Sequence, residues 1–174
     1  MIRRISIWGA PGTGKSVLSA WLFASLKIAG YNIQFVEEQV KKWAFQKRPI
    51  LSFDQMFLTA SQVSSEDELL RSGVPHIITD CPIMISYFYS RRNQLKYAPL
   101  ILELGRQVEE VYPSFNIYLQ RDVLYQTLGR YETEEEAKIL DVEMLDFLKE
   151  EYKDLIITSP RKKEELLKII MEIL

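Results

Sequence analysis

Short β-rich runs alternate with longer stretches of helical periodicity along the chain, the order that builds an α/β domain around a parallel sheet. Residues 2–8 (IRRISIW) alternate and end at a glycine-rich loop. Behind the loop, 16–29 carries Val17, Leu18, Trp21, Leu22, Ala24, Ser25 and Ile28 at helical spacing, and Gly30 stops it. A second strand is expected at 32–36, then a short helical stretch from 37 to about 45 and a longer helix from about 53 to 70. Within the longer helix, Ser65 and Glu68 have the spacing of a capping box that would restart it. Residues 76–79 read as a third strand stopped at Asp80 by Pro82, 97–111 as a helix and 115–120 as a fourth strand. Thr133 and Glu136 form a capping box opening a helix to about 149, with Ala137, Leu140, Met144, Leu145 and Leu148 on its apolar face. A fifth strand at 154–158 precedes Ser159-Pro160, an N-cap and N1 proline for the last helix.

Composition narrows the setting. A chain of 174 residues, 47% of them apolar, is read as one domain over 1–174. No run approaches the roughly 20 uninterrupted apolar residues of a membrane span, so a soluble protein is expected. Met1-Ile2-Arg3-Arg4 enters the first strand without the apolar stretch of a signal peptide. One cysteine, Cys81, and one histidine, His76, exclude an internal disulfide and a Cys/His metal site. A reducing, cytoplasmic setting follows as the expectation. His76 is read as the start of a buried strand and Cys81 as a small apolar filler beneath the loop. The net charge of −2 hides an asymmetry: residues 1–48 hold eight Lys and Arg against Glu37 and Glu38, a net of +6, which leaves −8 for the rest. A uniformly basic nucleic-acid binder is excluded, and a local polyanion-facing region is not.

The loop carries the chemistry. Gly9-Ala10-Pro11-Gly12-Thr13-Gly14-Lys15-Ser16 satisfies G-x-x-x-x-G-K-[ST] at every position, between a strand and an amphipathic helix. Glycines let backbone N–H groups turn inward around a phosphate chain, and the helix N-terminus adds positive potential. Lys15 is expected to reach the β and γ phosphates and Ser16 to ligate Mg²⁺. ATP and Mg²⁺ are therefore the expected cofactors.

Three classes use such a loop. A GTPase needs a guanine-reading N-K-x-D segment, which the sequence lacks. A ring-forming ATPase places a glutamate directly after the metal-side aspartate of an apolar strand, whereas Ile77-Ile78-Thr79-Asp80 is followed by Cys81. A small phosphotransferase remains. Its ligand groups should lie beyond the C-terminal strand ends, where Glu37 and Glu38 follow strand two and Asp80 follows strand three. One carboxylate would orient the acceptor hydroxyl and take its proton, and Asp80 would act as base or hold the metal. Arg121, after strand four, and Arg130 would close over the transferring phosphate from a lid at about 122–135.

The segments GAPGTGKS, FVEEQVKKWAF, FDQMFLTASQ, ITDCP and GRYETEEEAKILDVEMLDFL, in that order, resemble the small phage-encoded P-loop kinases related to the nicotinamide-riboside kinase domain. That group includes nucleoside and nucleotide kinases and enzymes that phosphorylate 5-hydroxymethyluracil within phage DNA. The resemblance implies a five-stranded parallel sheet in the order 2-3-1-4-5, helices on both faces, Lys15 and Ser16 on ATP and Mg²⁺, and Glu37 or Glu38, Asp80 and Arg130 in the active site. Nucleoside kinases of the deoxyribonucleoside type usually carry an arginine after the strand-three acid. Cys81 stands there instead, so their acceptor arrangement does not transfer.

Two aromatic and basic groups suit an anionic, base-bearing acceptor: Lys41, Lys42, Trp43, Phe45, Lys47 and Arg48, and then Tyr87, Phe88, Tyr89, Arg91, Arg92, Lys96 and Tyr97. Packing with solvated charge is the plainer reading of both. The most specific expectation is a kinase for the hydroxymethyl group of 5-hydroxymethyluracil in DNA. A kinase of a free nucleoside or nucleotide is the alternative, and a non-catalytic ATP-binding regulator of DNA metabolism is the alternative of another class. Ser159 to Arg161, after strand five, are positional candidates for contact with the adenine.

Overall fold

The computed structural model describes residues 2–174. Five strands, β1 (Arg4–Trp8), β2 (Ile33–Val36), β3 (His76–Thr79), β4 (Ser114–Leu119) and β5 (Ile156–Thr158), form one sheet. They lie in the order β2-β3-β1-β4-β5, and every pairing is parallel. The crossovers are α1 (Lys15–Ile28), α2 (Val40–Phe45), α3 (Asp54–Arg71), α4 (Met84–Arg92), α5 (Ala98–Val111) and α6 (Glu134–Glu151). A 3₁₀ turn, Pro160–Lys162, leads into α7 (Lys163–Ile173). The three-layer architecture and the strand order are those expected from the sequence.

Strand alternation distributes the core between the two faces. Ile5 and Ile7 of β1, Ile78 of β3, and Ile117 and Leu119 of β4 pack against Leu18, Leu22 and Leu26 of α1 and Leu166 and Ile170 of α7. Trp8 and Tyr118 point the other way, onto Met84, Ile85 and Phe88 of α4 and Leu140, Met144, Phe147 and Leu148 of α6. Both faces being covered explains the nearly continuous apolar strands. Of the apolar positions read into the first helix, Leu18 and Leu22 face the core, whereas Val17 and Ile28 are 76% and 88% exposed. The buried stripe runs at i, i+4, i+8 through 18, 22 and 26, which turns position 17 toward the strand ends.

Three local readings are corrected. No element was expected between Pro82 and Tyr97, yet α4 lies there. Its aromatic and β-branched residues have poor intrinsic helix propensity, and burial of Met84, Ile85 and Phe88 in the core overrides it. Ser65 does not restart α3, which is continuous from Asp54 to Arg71; its hydroxyl donates back to Ser61 O at 2.9 Å within the helix. The proline after Ser159 opens the 3₁₀ turn rather than α7 itself, and the Ser159 side chain makes no cap bond. The Thr133–Glu136 capping box is present in both directions at the start of α6. His76 opens β3 and is buried, its Nδ1 3.0 Å from Ile2 O. Among the described residues no helix is long and apolar enough to cross a membrane.

Two cations of the basic N-terminal stretch serve the fold. Arg3 donates to the carbonyls of Leu70, Val74 and Pro75, fastening the end of α3 to β1. Arg4 is 2% exposed; its Nη2 donates to Glu109 Oε2 at 2.7 Å, and its Nε lies 3.6 Å from Glu66 Oε2. Burial raises the proton affinity of Glu66, and Arg4 and then a hydrogen bond from Gln62 pull it back. Removing one partner of such a pair strands a buried charge. Arg4→Leu is expected to lower unfolding free energy by about 3–5 kcal/mol in urea titration. The double change Arg4→Leu, Glu66→Leu should recover most of that loss.

Candidate functional site

All five strands run the same way, so their C-terminal ends open on one edge, and the loops there build the site. The phosphate loop joins β1 to α1. Gly12 takes φ +78°, and the ring of Tyr125 lies so close that a Cβ at this position would meet it at 2.6 Å. Thr13 is buried and donates to Ala10 O at 3.0 Å, bracing the turn. Lys15 folds back, its Nζ donating to Gly9 O at 2.7 Å and Ala10 O at 3.3 Å. Those two carbonyls hold the ammonium at the loop mouth.

Beside the loop, the ends of β2 and β3 are tied together. Asp80 is 2% exposed, and its Oδ1 accepts the backbone N–H of Glu38 at 3.1 Å. Thr79 Oγ1 accepts from Cys81 N at 3.2 Å and from Gln62 Nε2 at 3.1 Å, fixing the turn that carries Asp80. The proton affinity of Glu38 is raised by burial first; Lys15 opposes this, Asp80 adds to it, and Arg130 and Lys41 oppose it further. Glu38 therefore faces the carboxylate of Asp80 and three cations. Glu37, just beyond the end of β2, is exposed. The Cys81 thiol is pushed well up by burial and by Glu38 and Asp80. It packs against the core cluster below the loop, and its raised thiol favours the neutral, less reactive form.

The segment 120–133, between β4 and α6, lies across this edge without regular structure. Arg121 bonds Asp141 at 2.7 Å and Pro11 O at 2.9 Å, while its Nη1 is buried without a partner. Arg130 Nε is likewise buried and unpartnered. Two guanidinium donors without acceptors, one of them beside the loop, fit a site built for an anion. Oxygen donors Ser16, Asp80 and Glu38 suit a hard divalent cation that completes its shell from phosphate and water. Among the described residues no three His, Cys, Asp or Glu side chains cluster as a metal site, so Mg²⁺ would need the nucleotide's oxygens.

A cleft of about 360 Å³ opens between the start of α1, this segment and the 3₁₀ turn, lined by Val17, Trp21, Val123, Leu124, Arg130 and Pro160 among others. Arg161, in the 3₁₀ turn, pairs with Asp122 of the 120–133 segment at 3.1 Å. Val17, read from the sequence as part of the helix's apolar face, is instead exposed and lines this cleft. Nothing in the sequence marked Tyr125.

The first aromatic and basic group is drawn to the site edge. Lys41 Nζ donates to Ser16 Oγ at 3.1 Å. Trp43 is buried, stacked on Phe57 with centroids 5.9 Å apart, and the Arg48 guanidinium sits 3.3 Å over its ring centroid. Phe45 is exposed and lies against Gly129; Lys42 and Lys47 point to solvent. A second cleft, about 650 Å³, is lined by Arg48, Leu51, Ser52, Phe53, Asp54 and Phe57. Most of the second group does not join the site. Tyr87 and Phe88 pack on Phe147 in the core, and Arg91 and Arg92 pair with Glu150 and Glu143 of α6. Helical spacing on α4 sends those side chains toward α6. Two members differ: Tyr97 stacks on Phe53 at the second cleft with ring centroids 5.3 Å apart and donates to Ser52 O at 2.7 Å, and the phenol of Tyr89 is pushed well up by burial and by Glu132 and Glu38.

A family described as an AAA domain matches residues 4–165. The chain belongs to this family. No curated protein matches it in sequence. Among solved structures, NadR protein in complex with NR superposes with a TM-score of 0.74 at 14% identity, over 98% of this chain and 49% of that one. The chain thus spans about half the length of that protein. Deoxyadenosine kinase from M. mycoides with bound dATP gives 0.63 at 20% identity, covering 97% of each chain. Thymidylate kinase from Ehrlichia chaffeensis gives 0.65 at 18%, covering 97% of this chain and 98% of that one. At these identities what is shared is the fold.

The 120–133 segment is docked on both sides, and Gly129 is its close contact on the α2 side. Its φ is +72°, and a Cβ there would meet the Phe45 ring at 2.7 Å. Gly129→Val should undock the segment and speed tryptic cleavage at Arg130 relative to the parent protein, read as peptide release against time.

Proposed function

We propose that this AAA-family domain is a single-domain, ATP- and Mg²⁺-dependent phosphotransferase whose acceptor is a hydroxyl of a nucleobase, nucleoside or nucleotide. The contact between Glu38 and Asp80 beside Lys15 carries the reading. It sets a carboxylate of raised proton affinity next to the cations that would hold the transferring phosphate. In the step, the acceptor oxygen attacks the γ-phosphorus as the bond to the β–γ bridging oxygen breaks; ADP leaves with that electron pair, and the acceptor proton passes to Glu38. Arg121 and Arg130 would supply their unpartnered donors to the phosphate oxygens. Mg²⁺, held from Ser16 and the Asp80 side, would neutralise charge on the phosphate chain. The apolar slot at Val17, Trp21 and Pro160 suits the adenine.

A ring ATPase's second strand-three carboxylate is missing, since Cys81 follows Asp80. A free nucleoside or nucleotide is the acceptor this reading favours, in keeping with the deoxyadenosine and thymidylate kinases that share the fold. The narrower reading, 5-hydroxymethyluracil in DNA with a phage source, draws its support from exposed Lys42, Lys47 and Arg48 beside the aromatic second cleft. The charge argument for it is weaker than residue counting suggested, because Arg3 and Arg4 are engaged by the fold.

Incubation with γ-labelled ATP and a panel of nucleosides, nucleotides, ordinary DNA and 5-hydroxymethyluracil DNA tests this. Label should enter an acceptor with the parent protein and not with Lys15→Ala. Intact ATP binding with no labelled acceptor would sink the kinase and leave a regulatory module. Glu38→Gln should cost about 10²–10⁴ in kcat, and Glu37→Gln within about threefold. Protonated Glu38 cannot accept a proton, so kcat/KM should fall as pH drops through its pKa, with a midpoint above that of an ordinary glutamate.

A further inference from the structure

We infer that Lys41 is a second nucleotide-binding lysine, which holds the metal position of the phosphate loop in the absence of Mg²⁺ and pairs with the phosphate chain when nucleotide arrives without metal. The inference rests on the phosphate-loop part of the function proposed above and not on the identity of the acceptor.

Three observations carry it. Lys41 leaves the first turn of α2 and donates to Ser16 Oγ at 3.1 Å, on the hydroxyl that the motif reserves for the metal. It has no carboxylate within 4 Å among the described residues, while its charge is felt at Glu38 together with those of Lys15 and Arg130. Lys15 is occupied by the carbonyls of Gly9 and Ala10. Lys41 is therefore the ammonium directed at the position where the metal would sit.

The chemistry of Ser16 makes the two cations exclusive. Its oxygen cannot accept from an ammonium and coordinate a divalent ion at close range without strong repulsion between the charges. When Mg²⁺ enters with the nucleotide, Lys41 must leave the hydroxyl, which its flexible four-carbon stem permits. When nucleotide enters alone, Lys41 can stay and offer its other two protons to phosphate oxygens, supplying part of the charge the metal would bring. The expected consequence is a nucleotide affinity that depends only modestly on metal.

Affinity for a fluorescent ATP analogue, measured with Mg²⁺ and with EDTA, gives the ratio that tests this. Lys41→Met should raise the ratio of the metal-free to the metal-loaded Kd by about tenfold or more. Lys41→Arg, which keeps a cation, and Lys153→Met, an exposed lysine after α6, should leave it within about threefold of the parent value. An unchanged ratio in Lys41→Met overturns the inference, whatever happens to the absolute affinities. A second measurement uses the parent protein alone: acetylation followed by mass spectrometry should show Lys41 protected in the metal-free nucleotide complex and more reactive once Mg²⁺ is added. Equal reactivity in the two complexes overturns it as well. Should the parent protein bind the analogue under neither condition, the phosphate-loop reading fails with it. Tight binding without transfer to any acceptor fails the kinase alone.

Discussion

The hydrogen bond from Glu38 N to Asp80 Oδ1 is the constraint on which the site depends. It joins the C-terminal ends of two adjacent parallel strands, where the sheet ladder has run out and each chain would otherwise leave in its own direction. One buried carboxylate, satisfied by a backbone N–H, sets the path of the residues after β2. Glu38 is turned inward and Glu37 outward, and the start of α2 is brought beside the loop. Lys41 meets Ser16 because that path is fixed. Asp80 itself is steadied from below, through the Thr79 hydroxyl shared by Cys81 N and Gln62, and Gln62 in turn bonds Glu66. A buried polar chain thus runs from the Arg4–Glu66 pair under β1 to the acid at the site. Its members were chosen for position, since well-packed apolar groups would serve stability equally well.

Charge at the site follows the same logic. Four cations, Lys15, Lys41, Arg121 and Arg130, lie where Glu38, Asp80 and, for Arg121, Asp141 are the carboxylates at hand to balance them. Lys15 and Arg121 are partly satisfied by loop carbonyls and Asp141, and the unpartnered guanidinium nitrogens are not. Buried donors left without acceptors cost stability, and a phosphate chain returns that cost on binding. The Glu38 carboxyl sits in the same field with the opposite requirement. Burial favours its neutral form and the neighbouring cations favour its charged form, so its proton affinity depends on whether phosphate has drawn those cations away. Binding the donor nucleotide would in this way make Glu38 a better proton acceptor at the moment it is needed.

Much of this was legible in the sequence because the loop motif, the strand ends and the Thr133 capping box are local signals whose meaning does not depend on distant contacts. The five strands were placed by alternation and turn residues, and each lies within two residues of its expected start. What escaped was set by tertiary packing. Helix α4 carries Ile, Tyr and Phe, residues of poor helix propensity, and packing against the sheet and its neighbouring helices keeps it helical. The apolar face of α1 was read too broadly because periodicity gives the stripe and not its rotation, so Val17 was assigned to the core when it borders a cleft. Tyr87 and Arg91 look like a stacking and phosphate-pairing set in one dimension; in three they meet Phe147 and Glu150, residues some 60 positions away. Lys41 illustrates the converse. Its residue type suggested an acceptor's charge, and only the geometry brings it against Ser16 of the glycine-rich loop.

The segment 120–133 links the two halves of the site in a way that neither half alone would show. Toward the loop, Tyr125 covers Gly12 and Arg121 bonds Pro11 O; toward α2, Gly129 receives Phe45 and the Tyr131 hydroxyl donates to Arg48 O. Arg48 in turn stacks on Trp43, which rests on Phe57 at the second cleft. A movement that lifts Tyr125 from the phosphate loop must therefore also loosen α2, because the same dozen residues hold both. Under the proposed function, donor and acceptor sides would then be closed by one strap rather than two independent gates. That coupling suits phosphoryl transfer, in which a phosphate exposed to water before the acceptor is seated would be lost to hydrolysis.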